Sequence, residues 1–338
     1  MRKLTFILLM LLPCLSLAIT QIPKETGFSG YINLGLVTGQ AESNLLYKVL
    51  GNQVSVDGAD LQNPPESESI ILPITAGEVS YAWADTSTQV FLGTLLEDFV
   101  RFDSSTRLGV RQSLDSIGIA SFALLNGGAI SAAKIWQDPY DNSSRRQDTS
   151  RTSKGFRLGL DNIGRSYLGI HYSFRDIDIV DEKSGQSLLD QGVINAQQQR
   201  SLLRDGTYST LELSYSQPFS QQHLLYANVK LVDHDLDGKA MAYDGYNAEI
   251  SWIYQPKPWR FVTNLAYGEF SSKAENPIFS QRNDFYRVGG SVTTFYQDAF
   301  GLKNWNASVG FIYLAENSDI AFYDQQISSL MLGMLYKF

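Results

Sequence analysis

An acidic segment at residues 233–244 has the residue types and spacing of a calcium-binding loop. Asp233, Asp235 and Asp237 alternate, Gly238 follows them, and Asp244 stands twelfth in line counted from Asp233. Calcium takes carboxylate oxygens at alternate positions of a tight turn, with a further carboxylate at the twelfth. No helix is expected on either side, so the segment is not an EF-hand. The sequence predicts calcium as the one candidate cofactor, and the alternative is an acidic hairpin loop that meets divalent ions held among surface lipids.

Charged residues also recur at every second position of segments whose other positions are apolar. In a sheet that faces lipid on one side, such residues would line the other side, the lumen. Opposed charges across an open lumen would sort solutes by charge, whereas in a closed barrel they would neutralise one another, and both interpretations stay open. The candidate lumen residues are Arg107, Arg111, Arg157, Arg175, Glu212, Lys230, Glu249 and Arg287, with Glu78 and Arg260 beside them.

The three histidines give little support for catalysis. A phospholipase of the outer membrane needs a Ser–His pair with an orienting third group, and no serine is spaced to form one with His171, His223 or His234. His234 beside Asp235 has only a faint similarity to the His–Asp pairs of outer-membrane proteases. The sequence therefore predicts that the protein is not an enzyme, and a hydrolase is the third functional alternative.

The pattern of the first eighteen residues indicates an export signal. Arg2 and Lys3 precede an apolar run, and residues 16–18 are the small residues that a signal peptidase reads. Lipid attachment at Cys14 is the alternative, although Pro13 fits badly before it. The expected mature domain, 19–338, would carry 27 − 2 = 25 basic and 35 acidic residues, a formal charge of −10. This acidity argues against nucleic acid as a partner.

Alternation of apolar and polar residues runs through the rest of the chain and predicts its fold. Fourteen segments alternate, the first at about 27–38 and the last ending at Phe338. No other apolar run is long enough for a spanning helix. Amphipathic strands that face lipid must close on themselves, so the pattern predicts an all-β, antiparallel, up-and-down transmembrane β-barrel. Because 105–114 and 117–125 are the weakest segments, twelve strands is the alternative to fourteen.

The connections and the aromatic residues support a barrel in the bacterial outer membrane. Short links alternate with long ones, which is the arrangement of periplasmic turns and extracellular loops. Aromatic residues are expected to form girdles at both ends of the strands. The predicted girdle at the short turns contains Trp83, Tyr215, Tyr254, Trp259, Trp305 and Phe338, and the opposite girdle contains Phe174, Tyr267, Phe285, Tyr313 and Phe322.

The last strand carries a predicted insertion signal. Counting back by twos from Phe338 gives Tyr336, Met334, Leu332 and Leu330, all apolar. A terminal aromatic on a strand with one lipid-ready face is similar to the signature by which outer-membrane proteins are recognised for insertion. The expected partners are therefore the barrel-assembly machinery and, after insertion, outer-membrane lipid and lipopolysaccharide.

The third long loop, 177–206, contains Leu188, Leu189, Ile194, Leu202 and Leu203. The apolar residues of this loop indicate an amphipathic helix, although Gly192 within it lowers the helix propensity. The loop either folds inward and narrows the opening or lies over the rim. Only about eight residues separate the export signal from the first strand, which leaves no room for an N-terminal plug.

Several long segments resemble one family. They are IPKETGFSGYINLG (22–35), LLEDFVRFDSSTRLGVRQSL (95–114), YSFRDIDIVDEKSG (172–185), DHDLDGKAMAYDGY (233–246) and the ending LMLGMLYKF. They are similar to the uncharacterised outer-membrane family of marine and related gammaproteobacteria catalogued as domain of unknown function 2860. The resemblance covers essentially the whole mature chain and implies an outer-membrane location. It supplies no activity and no functional residues.

The polar, charged lumen and the missing plug favour a porin-like channel for small hydrophilic solutes. The alternative is a non-conducting, surface-exposed binding or structural barrel whose acidic loops meet ions or partners.

Overall fold

The computed structural model describes residues 22–46, 48–49, 52–53, 60–98, 103–128, 133–142 and 146–338. The expected export signal, 1–18, lies outside these residues, and so does Cys14. Among the described helices, none has the length and apolar character needed to cross a bilayer.

Fourteen antiparallel strands form the wall of a closed barrel. They are β1 Gly27–Glu42, β2 Ser67–Trp83, β3 Thr88–Asp98, β4 Asp103–Ser113, β5 Ile119–Gly127, β6 Asp148–Asp161, β7 Leu168–Ile179, β8 Gly206–Pro218, β9 His223–Leu236, β10 Tyr243–Tyr254, β11 Trp259–Ser272, β12 Phe285–Tyr296, β13 Trp305–Ser318 and β14 Gln325–Lys337. Each strand pairs with the next in sequence, and β14 pairs with β1. The prediction of fourteen strands is confirmed, and the twelve-strand alternative is wrong because both weak segments form paired strands.

Shorter elements lie in the long loops. Two helices, α1 Gln186–Asp190 and α2 Ala196–Arg200, occupy the loop between β7 and β8. The strand Ala133–Trp136 pairs with β6 beyond the end of β5. The other short elements among the described residues are the hairpins Lys48–Val49 with Asn52–Gln53 and Glu275–Asn276 with Gln281–Arg282, and the 3-10 turns Ile163–Arg165, Ala299–Gly301 and Ala321–Tyr323.

The two faces of the wall differ as the alternation requires. On β9, Val229 and Leu231 point outward and are 47% and 55% exposed, whereas Asn228 and Val232 point inward and are buried. The same apolar outer face is present on other strands, for example at Leu332 of β14. Closure leaves the wall with no free sheet edge along the β14–β1 junction, where an unpaired backbone group in hydrocarbon would cost several kcal/mol.

One seam of the wall is incomplete. β2 pairs with β3 only over Glu78–Trp83, although β2 remains paired with β1 as far as Ser67 and β3 remains paired with β4 toward its long-loop end. Where the pairing stops, the Gly77 backbone N–H donates to Thr94 Oγ1 at 3.0 Å instead of to a carbonyl. Beyond this point the described residues of β3 form no ladder with β2.

Aromatic rings form the predicted girdle at the short-turn end. The rings of Trp259 and Tyr296 are 4.8 Å apart between centroids, and those of Trp305 and Tyr336 are 4.9 Å apart, on the outer surface. At the opposite end the prediction is wrong for two members. Phe285 points into the barrel and Phe322 lies inside the packed loops, because each finds aromatic neighbours there.

Candidate functional site

The inner wall of the barrel carries a first charged cluster around Glu78. The Arg107 guanidinium donates to Glu78 Oε2 at 2.7 Å, and Arg111 donates to Glu78 Oε1 at 3.0 Å. Arg111 also donates to Gln89 Oε1 at 3.0 Å, and its guanidinium carbon lies 3.8 Å from the centroid of the Phe91 ring. The Glu78 carboxylate of β2 thus binds two arginines of β4, the second strand along the wall.

A second cluster surrounds Glu212 on β8. Arg157 of β6 donates to Glu212 Oε2 at 3.1 Å, the Tyr226 hydroxyl donates to Oε1 at 3.0 Å, and Lys230 Nζ lies 3.8 Å from Oε2. Arg157 also donates to Ser173 Oγ at 3.2 Å. Most of these polar side chains are largely buried, so water reaches them only in part.

The remaining predicted lumen residues also lie on the inner wall. Glu249 accepts hydrogen bonds from Asn228 Nδ2 and Ser251 Oγ, each at 3.3 Å. Arg287 forms an ion pair with Glu316 at 2.7 Å, which sequence reasoning had missed although Glu316 follows the inward alternation of its strand. Arg175 is buried, 4% exposed, on the inward face of β7.

These ion pairs run along the wall between strands one or two positions apart. The sequence suggested opposed charges across the lumen, from β4, β6 and β7 to β8 and β10. The structure instead brings arginines to glutamates on nearby strands, because strands less than 5 Å apart are within reach of one long side chain. Of the two interpretations that the sequence leaves open, these pairs fit local neutralisation of charge.

Apolar side chains pack together in the long-loop half of the interior. The crossing cluster, as we name it, connects β1, β2 and β14 to β7 on the far side of the barrel. It passes through Leu46 and Ile135, two residues that form an isolated backbone bridge. Its buried members are Val37, Ala41, Leu46, Ile70, Ile135, Ile179, Ile327 and Met331, with Leu72 and Ile74 packed against it.

Above this cluster the long loops pack on one another and form a cap. The buried members of the loop cap are Tyr140, Leu188, Ile194, Leu202, Ala240, Ile320, Phe322 and Tyr323. They come from loops that follow β5, β7, β9 and β13, so side chains distant in sequence share one apolar core. Apolar residues in a loop stabilise it only when they are removed from water. The apolar run Ile320–Tyr323 was therefore a signal of the cap in the sequence, and sequence reasoning missed it.

Polar contacts inside the cap are specific. The hydroxyls of Tyr140 and Tyr323 share a hydrogen bond at 2.6 Å, and Asn276 Nδ2 donates to the Tyr323 hydroxyl at 2.6 Å. Burial raises the pKa of both phenols well above the ordinary value, so both stay neutral. Arg204 connects two loops, donating to Glu182 Oε2 at 3.0 Å and to the Trp136 carbonyl at 2.8 Å.

The third long loop lies within this cap. Instead of one amphipathic helix it forms α1 and α2, because Gly192, with φ of 73°, turns the chain between them. Asp138 accepts from the Gly185 and Ser187 backbone N–H groups at the start of α1, each at 2.9 Å. Leu188 and Leu202 enter the cap core, whereas Leu189 is only partly buried.

The acidic segment contains lysines among its carboxylates. Lys273 Nζ lies 2.5 Å from Asp233 Oδ1 and 3.1 Å from Asp235 Oδ1, and Lys239 Nζ lies 2.7 Å from the same oxygen of Asp235. Asp244 sits opposite Asp233 in the β9–β10 register, on the outward face, and Asp237 follows the end of β9. Across the described chain, no group of three or more acidic, histidine or cysteine side chains is arranged to hold a metal.

The histidines lie apart from one another. His171 Nε2 is 3.2 Å from Asp161 Oδ1 on the inner wall near the short turns. His223 stacks on Tyr254 outside the barrel, with ring centroids 4.6 Å apart, and His234 packs against Tyr243 inside it. The prediction that the protein is not an enzyme remains a prediction.

The residues of the predicted insertion signal lie at the barrel's outer rim. Phe338 is 45% exposed, and its ring stacks on Tyr336 with centroids 6.0 Å apart. The Phe338 backbone N–H donates to the Gly30 carbonyl at 3.1 Å, which seals the junction of β14 and β1.

Three solved structures align with most of this chain at low sequence identity. The outer-membrane channel DcaP of Acinetobacter baumannii is 10% identical, with 93% of this chain and 97% of that chain covered and a TM-score of 0.43. A Pseudomonas aeruginosa FadL homologue is 10% identical, with 92% and 89% covered and a TM-score of 0.42. The CymD monoaromatic hydrocarbon channel is 12% identical, with 92% and 88% covered and a TM-score of 0.44.

No curated protein matches the sequence. The profile of the family described as "Protein of unknown function (DUF2860)" matches residues 27–337, which is the whole barrel from the first strand to the last. The resemblance seen in the sequence segments is thereby confirmed, and the chain belongs to the DUF2860 family.

Proposed function

We propose that this protein is a channel of the bacterial outer membrane for small hydrophilic solutes, and that its long loops close it at rest. The observation that carries the proposal is the charged inner wall, with its Glu78 and Glu212 clusters, inside a barrel whose outer face is apolar. A barrel that needed only a filled interior would be served as well by apolar side chains, because buried ion pairs contribute little net stability.

The charges of the inner wall favour anions. Among the predicted lumen residues, taken together with Glu78 and Glu316, cations outnumber carboxylates. The cations are Arg107, Arg111, Arg157, Arg175, Lys230 and Arg287, and the carboxylates are Glu78, Glu212, Glu249 and Glu316. A lumen with excess positive charge concentrates anions and repels cations.

Closure at rest follows from the two apolar layers at the long-loop end. The crossing cluster spans the interior, and the cap covers it with side chains such as Phe322 that are almost fully buried. Passage of a solute therefore requires the cap to move. Loops with their own small core are suited to this, because they can open without unfolding the strands.

Conductance in planar bilayers tests the proposal. Phe322→Ala removes a buried ring from the cap core, a change that costs about 3–5 kcal/mol in protein interiors. We expect wild type to show rare, brief openings and Phe322→Ala to show frequent stepwise currents. Phe311→Ala, which removes a lipid-facing ring, is the matched control and should conduct like wild type. The absence of stepwise current from both wild type and Phe322→Ala would refute the channel.

A second candidate is a barrel that never conducts and acts through its outer surface. The local neutralisation of charge along the wall and the crossing cluster favour it. In either case the expected partners are outer-membrane lipid and lipopolysaccharide around the wall and the barrel-assembly machinery during insertion. Calcium at the acidic segment and the absence of catalysis are proposed for both candidates.

A further inference from the structure

Two cations of the inner wall near the short turns have no carboxylate partner. Arg260 of β11 alternates with the buried, inward Val262, and Lys337 of β14 alternates with the buried, inward Leu335, so both side chains belong to the inner face. Among the described residues, no carboxylate forms an ion pair with either cation. By contrast, the arginines and the lysine of the two charged clusters described above are all paired with carboxylates.

The Arg260 guanidinium retains hydrogen-bonding capacity. Its Nη2 donates to Gln255 Oε1 at 3.2 Å, whereas its Nε is buried and has no hydrogen-bond partner among the described residues. Its neighbours on the inner face, Val262 along β11 and Phe295 opposite it on β12, belong to a buried apolar cluster. Apolar surroundings keep water away from part of the charge, so a missing counter-ion is costly at this position.

The two cations act on each other. They start from strands three positions apart along the wall, yet Arg260 lies close enough to Lys337 for the two charges to repel each other. Lys337 is exposed at the end of β14, so a solute that enters at the short turns can reach it. Two neighbouring like charges are unfavourable alone, and an anion between them is attracted by both.

The neighbouring short turns add positive charge to the same sector of the mouth. Lys257 lies in the turn between β10 and β11 and Lys303 in the turn between β12 and β13, both exposed. The one carboxylate of these two turns, Asp298, accepts a hydrogen bond from a backbone N–H of its own turn at 2.8 Å. The turns after β2 and β4, on the other side of the barrel, carry Asp85 and Asp115 instead. This division of charge directs anions toward the two cations.

We infer that Arg260 and Lys337 form a binding site for a small oxyanion, a carboxylate or a phosphate, at the short-turn mouth of the lumen. The guanidinium offers a planar set of donors to the oxygens of such a group, and the ammonium adds a compact charge. A neutral solute would leave both charges without a counter-ion, and a cation would be repelled. If the proposed channel conducts, this site indicates the class of its solutes. Binding itself requires no conduction, so the failure of the site and the failure of the channel are distinguishable.

Protection of Lys337 from acetylation tests the site. The protein is held in a maltoside detergent, which contains no phosphate, and is treated with an amine-acetylating reagent while mass spectrometry follows the acetylation rate of each lysine. Inorganic phosphate and succinate are added in separate arms, with the ionic strength held constant by sodium chloride. Lys24, an exposed lysine before β1, is the reference. We expect the bound anion to slow acetylation of Lys337 but not of Lys24.

Slowing by phosphate alone supports a phosphate site, slowing by succinate alone supports a carboxylate site, and slowing by both supports a general oxyanion site. Arg260→Gln should raise the half-protecting anion concentration about tenfold, the factor expected for the loss of one charge-assisted hydrogen bond. Arg260→Lys should retain most of the protection. Arg165→Gln, which removes an exposed arginine from another short turn, is the matched control and should leave protection unchanged. No slowing at Lys337 by either anion, or equal slowing at Lys24, would overturn the inference.

Discussion

Single side chains of the inner wall set the expected ion selectivity. Arg107 and Arg111 place two positive charges around one carboxylate, Glu78. Replacing both with Gln should shift the reversal potential of the channel toward cation preference, because the local charge changes from +1 to −1. Lys154→Gln removes a cation from the outward face of β6 and is the matched control.

That variant also leaves Glu78 without its partners. Breaking a buried ion pair costs about 3–5 kcal/mol, so the unfolding temperature should fall. Adding Glu78→Gln should recover much of this loss while the lumen stays without the two arginines. An unchanged reversal potential in the arginine variant would place these residues outside the ion path.

The tyrosine pair of the cap predicts a dependence on high pH. Burial raises the pKa of Tyr140 and Tyr323 above the ordinary value near 10, so the closed cap holds phenol protons that an opened cap releases. The closed form is fully stabilised below pH about 10 and loses stability as the pH rises further. The open probability should therefore rise as the pH is raised above about 10.

Tyr140→Phe with Tyr323→Phe removes both titrating groups and should flatten this rise. Equal pH profiles of wild type and the double variant would show that the phenols do not control the cap.

At the scale of elements, the acidic hairpin between β9 and β10 allows two interpretations. Its carboxylates either bind calcium or are neutralised by lysines alone. Lys273 already lies between Asp233 and Asp235, so calcium must displace it or bind beside it. If calcium binds, it should raise the unfolding temperature of wild type, and Asp235→Ala with Asp237→Ala should abolish the gain. Lys273→Ala should enlarge the gain because a competing cation is removed. A wild type that gains nothing from calcium has no such site.

The strands and loops show what the alternation of apolar and polar residues could and could not predict. A period of two residues identifies strands and their outward faces wherever one side meets hydrocarbon, which is why β4 and β5 were found in spite of weak patterns. The pattern does not say which loops will meet. Phe322 follows a strand end, where a girdle aromatic is expected, and only packing against Tyr140 and Phe279 reveals its place in the cap.

The charged residues of the candidate site illustrate the same limit. Alternation assigned Arg157, Glu212 and Lys230 to the inner wall, but it contained no distances. Their pairing depends on the register between neighbouring strands, which loop lengths and side-chain packing set together. The incomplete β2–β3 seam was likewise beyond sequence reasoning, although Pro73 within an apolar run marked the place.

For the whole molecule, the apolar belt, the charged lumen and the loop cap form one arrangement. We propose that the belt fixes the barrel in a bilayer, that the wall gives the interior its polarity, and that the cap keeps this interior separate from the outside.

The most direct measurement of the central claim is a scan of alternate positions along β9. Single cysteines at Asn228, Val229, Lys230 and Leu231 of the chain with Cys14→Ser are labelled with one fluorophore, and the protein is reconstituted in lipid with brominated acyl chains. We predict strong quenching at 229 and 231 and weak quenching at 228 and 230. Equal quenching at all four positions would contradict a wall with one face in hydrocarbon and the other in a polar lumen.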